Sequence, residues 1–154
     1  MNRKKIIYLA GPLFSEHERK FLEEITESLA KGLGLHPEND VFLPHRDVGD
    51  VGVHGKGRKE VFSKDLEHLD EAIVVVALLD GSDVDSGTAV ELGYAFAQGK
   101  KIFGILTDWR RWNPLNEVEN INNMIWGVCG KGKRIYQKVN KELIEDLKNE
   151  LSLK

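Results

Sequence analysis

At 154 residues and 17.4 kDa the chain has the length of one ordinary domain, and 41% hydrophobic with 31% charged residues excludes a disordered or fibrous protein. Its 22 basic and 25 acidic residues leave a formal charge of −3, too little for a global field that would draw it to nucleic acid or anionic lipid, so a small, weakly charged ligand is expected. The single Cys129 excludes an internal disulfide, and with neither a cationic leader nor an apolar span of about 18 residues the reading is a soluble, cytoplasmic single domain over 1–154, with no membrane partner.

In chain order, "KIIYLA" (residues 5–10) is a β-rich apolar run broken by Gly11 and Pro12, hence a strand. A helix opens at Ser15, which with Glu18 forms a capping-box pattern, and carries Phe21, Leu22, Ile25, Leu29 and Leu33 at helical spacing until Gly32 or Gly34. "VFLP" (41–44) is a second short strand, and "HRDVGDVGVHGKGR" (45–58), with four glycines and no apolar period, is expected to be a mobile loop. "KEVFSKDLEHLDEA" (59–72) supplies a helix with Val61, Phe62, Leu66 and Leu69 facing inward. It leads into "AIVVVALL" (72–79), whose unbroken apolar character predicts a central parallel strand covered on both faces.

A helix over 85–99 and a fourth strand, "KIFGIL" (101–106), follow. Beyond Thr107 the pattern weakens, with a short strand near Ile135 and a closing amphipathic helix, "NKELIEDLKNELSL". Strands alternating with helices predict an α/β fold: a doubly wound, Rossmann- or flavodoxin-like sheet of about five mostly parallel strands with helices on both faces. Ligands bind beyond the carboxyl ends of such strands, here at Gly11 and Pro12, at residues 44–46, at 80–87 and at Thr107 and Asp108.

Several motifs fail on inspection. "GVCGKGK" (127–133) has P-loop glycine and lysine spacing, but Arg134 stands where Ser or Thr must hold magnesium, so it reads as a turn. No G-x-G-x-x-G follows the first strand and no G-x-S-x-G elbow is present. His17, His36, His45, His54 and His68 show no metal-ligand pairing, and Asp80, Asp83 and Asp85 in "DGSDVD" are better explained as turn and cap residues than as magnesium ligands. Neither metal nor cofactor is implied.

Glu91 is the one formally charged residue between Ser86 and Gly99. A carboxylate in apolar surroundings is unfavourable unless paired or neutralised. Two explanations stand level at this point: "TAVE" from Thr88 forms a capping box, or the helix starts at Asp85 or Ser86 and Glu91 lies too deep to cap. Its company matters. Tyr8 near the end of the first strand, Asp65 on the helix feeding the third, and Asp85 describe a pocket with several carboxylates and a phenol, with Gly87 and Gly93 leaving space beside the helix. Carboxylates in one cleft suit glycosidic chemistry, one attacking the anomeric carbon while another acid protonates the leaving group.

"IYLAGPLFSE" resembles the Y-x-A-G-P opening of the nucleoside 2-deoxyribosyltransferase family, "DSGTAVELGYAFAQGK" resembles its D-x-G-T-A-x-E-x-G-x-A signature, and "NNMIWGV" is similar to N-x-M-x-W-G-V in some members. The resemblance covers most of residues 6–128 and includes "SKDLEHL", whose Asp65 precedes Glu91 by 26 residues. It implies that Glu91 is the nucleophile forming a covalent deoxyribosyl ester, that Tyr8 orients it and crowds the sugar 2-position, and that Asp65 and Asp85 contact base and sugar and help protonate the departing base. It further implies substrate contacts at Gly11, Pro12, Phe14, Ser86 and Gly87, and base contacts at His45, Arg46 and Asp47. Asn122 and Met124 match a segment that in the family can reach a neighbouring subunit's site, implying a homodimer or higher homo-oligomer with shared active sites. The partners implied are a deoxynucleoside and a nucleobase. Many relatives have Asp at the position of Ile73, a departure that bears on packing.

The resulting expectation is transfer of 2-deoxyribose between nucleobases with retention. The alternatives are hydrolysis of N-glycosides of nucleosides or nucleoside 5-monophosphates, kept open by Ser86, Arg19 and Lys20, and a non-catalytic nucleotide-binding module.

Overall fold

The computed structural model describes residues 5–49, 57–113 and 118–153. Most of the expected mobile loop after Asp47, residues 50–56, lies outside the described residues. The elements run β1 (Ile7–Ala10), α1 (Glu16–Leu33), α2 (Pro37–Asp40), β2 (Val41–Phe42), α3 (Pro44–Asp47), α4 (Arg58–Glu71), β3 (Val74–Leu78), α5 (Ser86–Ala97) and β4 (Lys101–Ile105). After a 3-10 turn over Trp109–Arg111 come β5 (Trp112–Asn113), β6 (Val118–Glu119), α6 (Asn123–Val128), β7 (Ile135–Tyr136) and α7 (Lys141–Leu151).

Five strands form one parallel sheet in the order β2-β1-β3-β4-β7, while β5 and β6 pair antiparallel on their own. The expected doubly wound α/β fold is therefore present, in the flavodoxin-like order whose direction reverses between β1 and β3. Alternation along each strand sorts side chains to two cores. Ile7, Leu9, Val74, Val76, Phe103 and Ile105 meet Leu22, Ile25 and Leu29 of α1 and Leu143 and Leu147 of α7. Tyr8, Ala10, Val75, Ala77 and Ile102 meet Leu69 of α4, Leu92 and Ala95 of α5 and Ile125 of α6. All five residues of β3 are buried, which is why its sequence shows no polar alternation.

Local chemistry sets the boundaries. Ser15 caps α1 through a complete capping box with Glu18, and Gly34 closes it with φ 69°, a left-handed conformation that favours glycine. The second strand is shorter than expected because Pro44 starts a helical turn, so His45, Arg46 and Asp47 sit in α3 rather than in a loop. Phe62 was expected inward on α4 and is instead 62% exposed; Leu69 carries the burial, with Val61 and Leu66 partly covered. α6 was not expected, being too short for apolar periodicity to register. Among the described residues no helix is long and apolar enough to cross a membrane.

Asp80 ties the ends of β3 and β4 together, accepting from the Thr107 amide at 2.6 Å, the Asp108 amide at 3.0 Å and the Thr107 hydroxyl. Arg111 holds the loop beyond it. Its guanidinium donates to Asn120 O at 2.6 Å, to Gly81 O at 3.1 Å and to Ser82 O, fixing the segment that delivers Asp85 to the start of α5.

Candidate active site

α5 begins at Ser86 with Asp85 as its N-cap, so Glu91 is the sixth residue of the helix and the capping-box explanation falls away. The N3 position of a box belongs here to Thr88, whose amide and hydroxyl donate to Asp85 Oδ2 at 2.9 and 3.2 Å. Glu91 turns toward the sheet. There the Tyr8 hydroxyl donates to Glu91 Oε1 at 2.7 Å, a bond spanning 83 residues of sequence. Tyr8 is fully buried on β1 with its ring 5.0 Å from Phe42, so the phenol is a core aromatic and a hydrogen-bond donor at once.

Burial pushes the Glu91 carboxyl up to about 7, the Tyr8 bond pulls it back, and the charges of Asp65 and Asp85 push it further up. Tyr8 is raised well above the ordinary phenol range by burial and by Glu91, so it stays a neutral donor. Asp65 on α4 is raised to about 6 by burial. Its Oδ1 is sealed from solvent and has no hydrogen-bond partner among the described residues, unlike an ordinary solvated helix charge. Three carboxyl groups thus converge where the strand order reverses. One is ionised only near neutrality and oriented by a phenol, and a second can hold a proton near pH 6.

A cleft of about 480 Å³ adjoins Asp65 and is lined by Leu13, Phe14, Arg19, Pro44, His45, Gly49 and Val61. It gathers three of the expected residues, Asp65, Phe14 and His45, with Phe14 74% exposed. Arg19 also reaches it, donating to Leu13 O at 3.0 Å and Phe14 O at 3.1 Å. Lys20 instead pairs with Glu16 on the outer surface.

Other expected residues sit elsewhere. Arg46 donates to Val41 O at 2.6 Å and to Asp47, and Asp47 also takes the Leu43 amide at 2.8 Å and Lys5 at 2.6 Å, so both are engaged in pinning α3 to the sheet edge. Gly11 is buried where a Cβ would come within 2.8 Å of Leu22 and 3.1 Å of Leu78, and Pro12 lines a separate cavity with Asp80 and Thr107. Ser86 and Gly87 are exposed at the start of α5, and a Cβ at Gly87 would meet Asp85 Oδ2 at 3.1 Å. Asn122 caps α6 through the Met124 amide at 2.8 Å, and with Met124 it lines a groove against Asp83, Ala89 and Gly93. Asp83 Oδ1 takes the Val84 amide at 2.8 Å, so the acidic loop serves caps and turns. Sequence reasoning missed Arg111, and it missed Glu23, which meets His45 at 3.1 Å. No local pattern marks either, since each acts on a partner far along the chain.

A family model described as nucleoside 2-deoxyribosyltransferase matches residues 7–147. The chain belongs to the nucleoside 2-deoxyribosyltransferase family. A nucleoside deoxyribosyltransferase of Lactobacillus leichmannii is 26% identical over 81% of this chain and 81% of its own. The solved 2-deoxyribosyltransferase of Bacillus psychrosaccharolyticus is 29% identical, covers 89% of each chain and superposes with a TM-score of 0.65. A conserved protein of Enterococcus faecalis shares the fold with a TM-score of 0.77 at 24% identity, over 94% of this chain and 98% of that one. As a member of the nucleoside 2-deoxyribosyltransferase family, the chain is an enzyme acting on N-glycosidic bonds.

Proposed function

We propose that the enzyme transfers 2-deoxyribose between nucleobases, with Glu91 as nucleophile, through a deoxyribosyl ester and net retention. The observation that carries this is the 2.7 Å bond from buried Tyr8 to Glu91 Oε1, which leaves Oε2 to attack. Oε2 forms a bond to C1 of the sugar as the bond to the base nitrogen breaks, and the base leaves with a proton supplied from the carboxyl of Asp65. A second base then attacks C1 from the vacated side, giving its ring-nitrogen proton to the Asp65 carboxylate as the ester bond breaks and the Glu91 carboxylate is regenerated, so two inversions give retention and ping-pong kinetics. A 2-deoxy sugar lacks the electron-withdrawing hydroxyl next to C1, which makes its oxocarbenium-like transition state accessible to a modest nucleophile. Asp85, Phe14, His45, Ser86 and Gly87 form the surrounding substrate contacts in this reading, and Asn122 and Met124 serve a second copy.

The test is incubation with deoxyinosine, with and without adenine, followed by chromatography. Deoxyadenosine formed only with adenine supports transfer. Free hypoxanthine in equal yield without adenine means that water is the acceptor, and inert deoxynucleosides beside cleaved deoxynucleoside monophosphates would assign Arg19 to a phosphate and overturn the transfer reading. Glu91→Ala is expected to lose at least about 10³-fold in turnover while keeping its circular dichroism spectrum.

A further inference from the structure

A carboxylate oxygen accepts and does not donate, so the 3.1 Å contact of Glu23 Oε1, on α1, with His45 Nε2 places a ring proton on Nε2. In the neutral form of a ring protonated at Nε2, Nδ1 is the acceptor. The His45 side chain is only 7% exposed, and Nδ1 is sealed from solvent with no hydrogen-bond partner among the described residues. His45 lines the same cleft as Asp65, whose Oδ1 is likewise unpartnered, and as exposed Phe14, whose ring offers a stacking face. A buried acceptor without a donor is unfavourable, and a ligand that supplies the donor removes the penalty.

We propose that Glu23 is a positioning residue which orients His45 and fixes its tautomer, so that His45 Nδ1 selects nucleobases carrying an N–H on the six-membered ring edge. This rests on the cleft being the base subsite of the reaction above, and it adds which bases the subsite takes. Adenine offers an exocyclic amine and hypoxanthine a ring N–H, whereas unsubstituted purine offers neither at that edge. A site built to receive a donor rejects the analogue lacking it more strongly than an apolar pocket rejects a missing methylene.

The experiment is calorimetric titration of the full chain with adenine, hypoxanthine and purine at about pH 8, above the ordinary imidazole range. The wild type is expected to bind adenine or hypoxanthine about tenfold or more tighter than purine. His45→Phe brings that ratio near one, Glu23→Ala lowers it about threefold, and Glu23→Gln, which keeps an oxygen facing Nε2, restores it. Long-range nitrogen NMR is expected to show His45 protonated at Nε2 alone. Purine bound as tightly as adenine and hypoxanthine, a ratio unmoved in His45→Phe or Glu23→Ala, or a proton on Nδ1 overturns the proposal. Discriminating binding without turnover leaves it standing and removes the transfer reading; no binding by any of the three removes it.

Discussion

At the scale of single residues, the chemistry turns on a carboxyl group held in two opposing conditions. Burial keeps Glu91 protonated up to about pH 7, yet the proposed attack on C1 needs the ionised form. Tyr8 mediates between them, because its hydroxyl donates to the carboxylate and pulls the titration down. Tyr8→Phe keeps the ring that packs on Phe42 and removes only that donor. A hydrogen bond to a charged group contributes about 1.5–3 kcal/mol, so the titration of the Glu91 carboxyl, centred near 7 in the wild type, is expected to move up by about one unit or more in this variant. Carbon-13 NMR titration of the Glu91 carboxyl checks it, and an unmoved midpoint would mean that the Tyr8 bond does not set the ionisation of Glu91. The stability sign runs the other way. The folded state holds the Glu91 proton more tightly than the unfolded chain, so this group's contribution is complete below the ordinary glutamate range and is lost as pH climbs through about 7. The proposed nucleophile is thus ionised on the descending limb of stability.

At the scale of elements, α5 links capping to chemistry. Asp85 satisfies the first turn through Thr88 and, one and a half turns later, its charge helps raise Glu91. The two roles separate by substitution. Asp85→Asn keeps an acceptor for the Thr88 amide and is expected to leave the denaturation midpoint nearly unchanged while lowering the Glu91 titration. Asp85→Ala loses the cap and is expected to destabilise by about 1 kcal/mol, with the same downward titration shift. Equal stability of the two variants in a denaturant series would mean that the cap is not what Asp85 contributes to folding. "TAVE" alone could not reveal this, because Asp85 and Thr88 are both acceptable caps and the choice depends on where Arg111 and Asp80 hold the preceding loop. Those tethers join residues about 30 positions apart, and nothing in the local pattern encodes them.

At the scale of the whole molecule, the legible features were those written in apolar spacing. The buried run of β3, the stripe of α1 and the alternation of strands with helices foretold the sheet, and its topology brings Tyr8, Asp65 and Glu91 to one place. Single-turn helices such as α3 left no period to read, and the outward turn of Phe62 was not visible because an apolar residue at helical spacing is compatible with either face. An exposed apolar stripe is equally silent in sequence, and the surface carries one. Val90 and Phe96 of α5 are 69% and 56% exposed, Met124 of α6 is 76% exposed, and a Cβ at Gly93 between them would meet nothing within 4 Å. Exposed apolar patches mark association sites, and the bare Gly93 lets another backbone come close. A second copy of the chain is the occupant expected here, since the shared-site reading of Asn122 and Met124 requires one. Light scattering at working concentration is therefore expected to give a dimer or larger assembly, and Met124→Glu, which places a charge in the stripe, is expected to shift it toward monomer and to lower transfer in the same proportion. A monomeric wild type with full activity would confine the site to one chain and leave Asn122 only its role as the cap of α6.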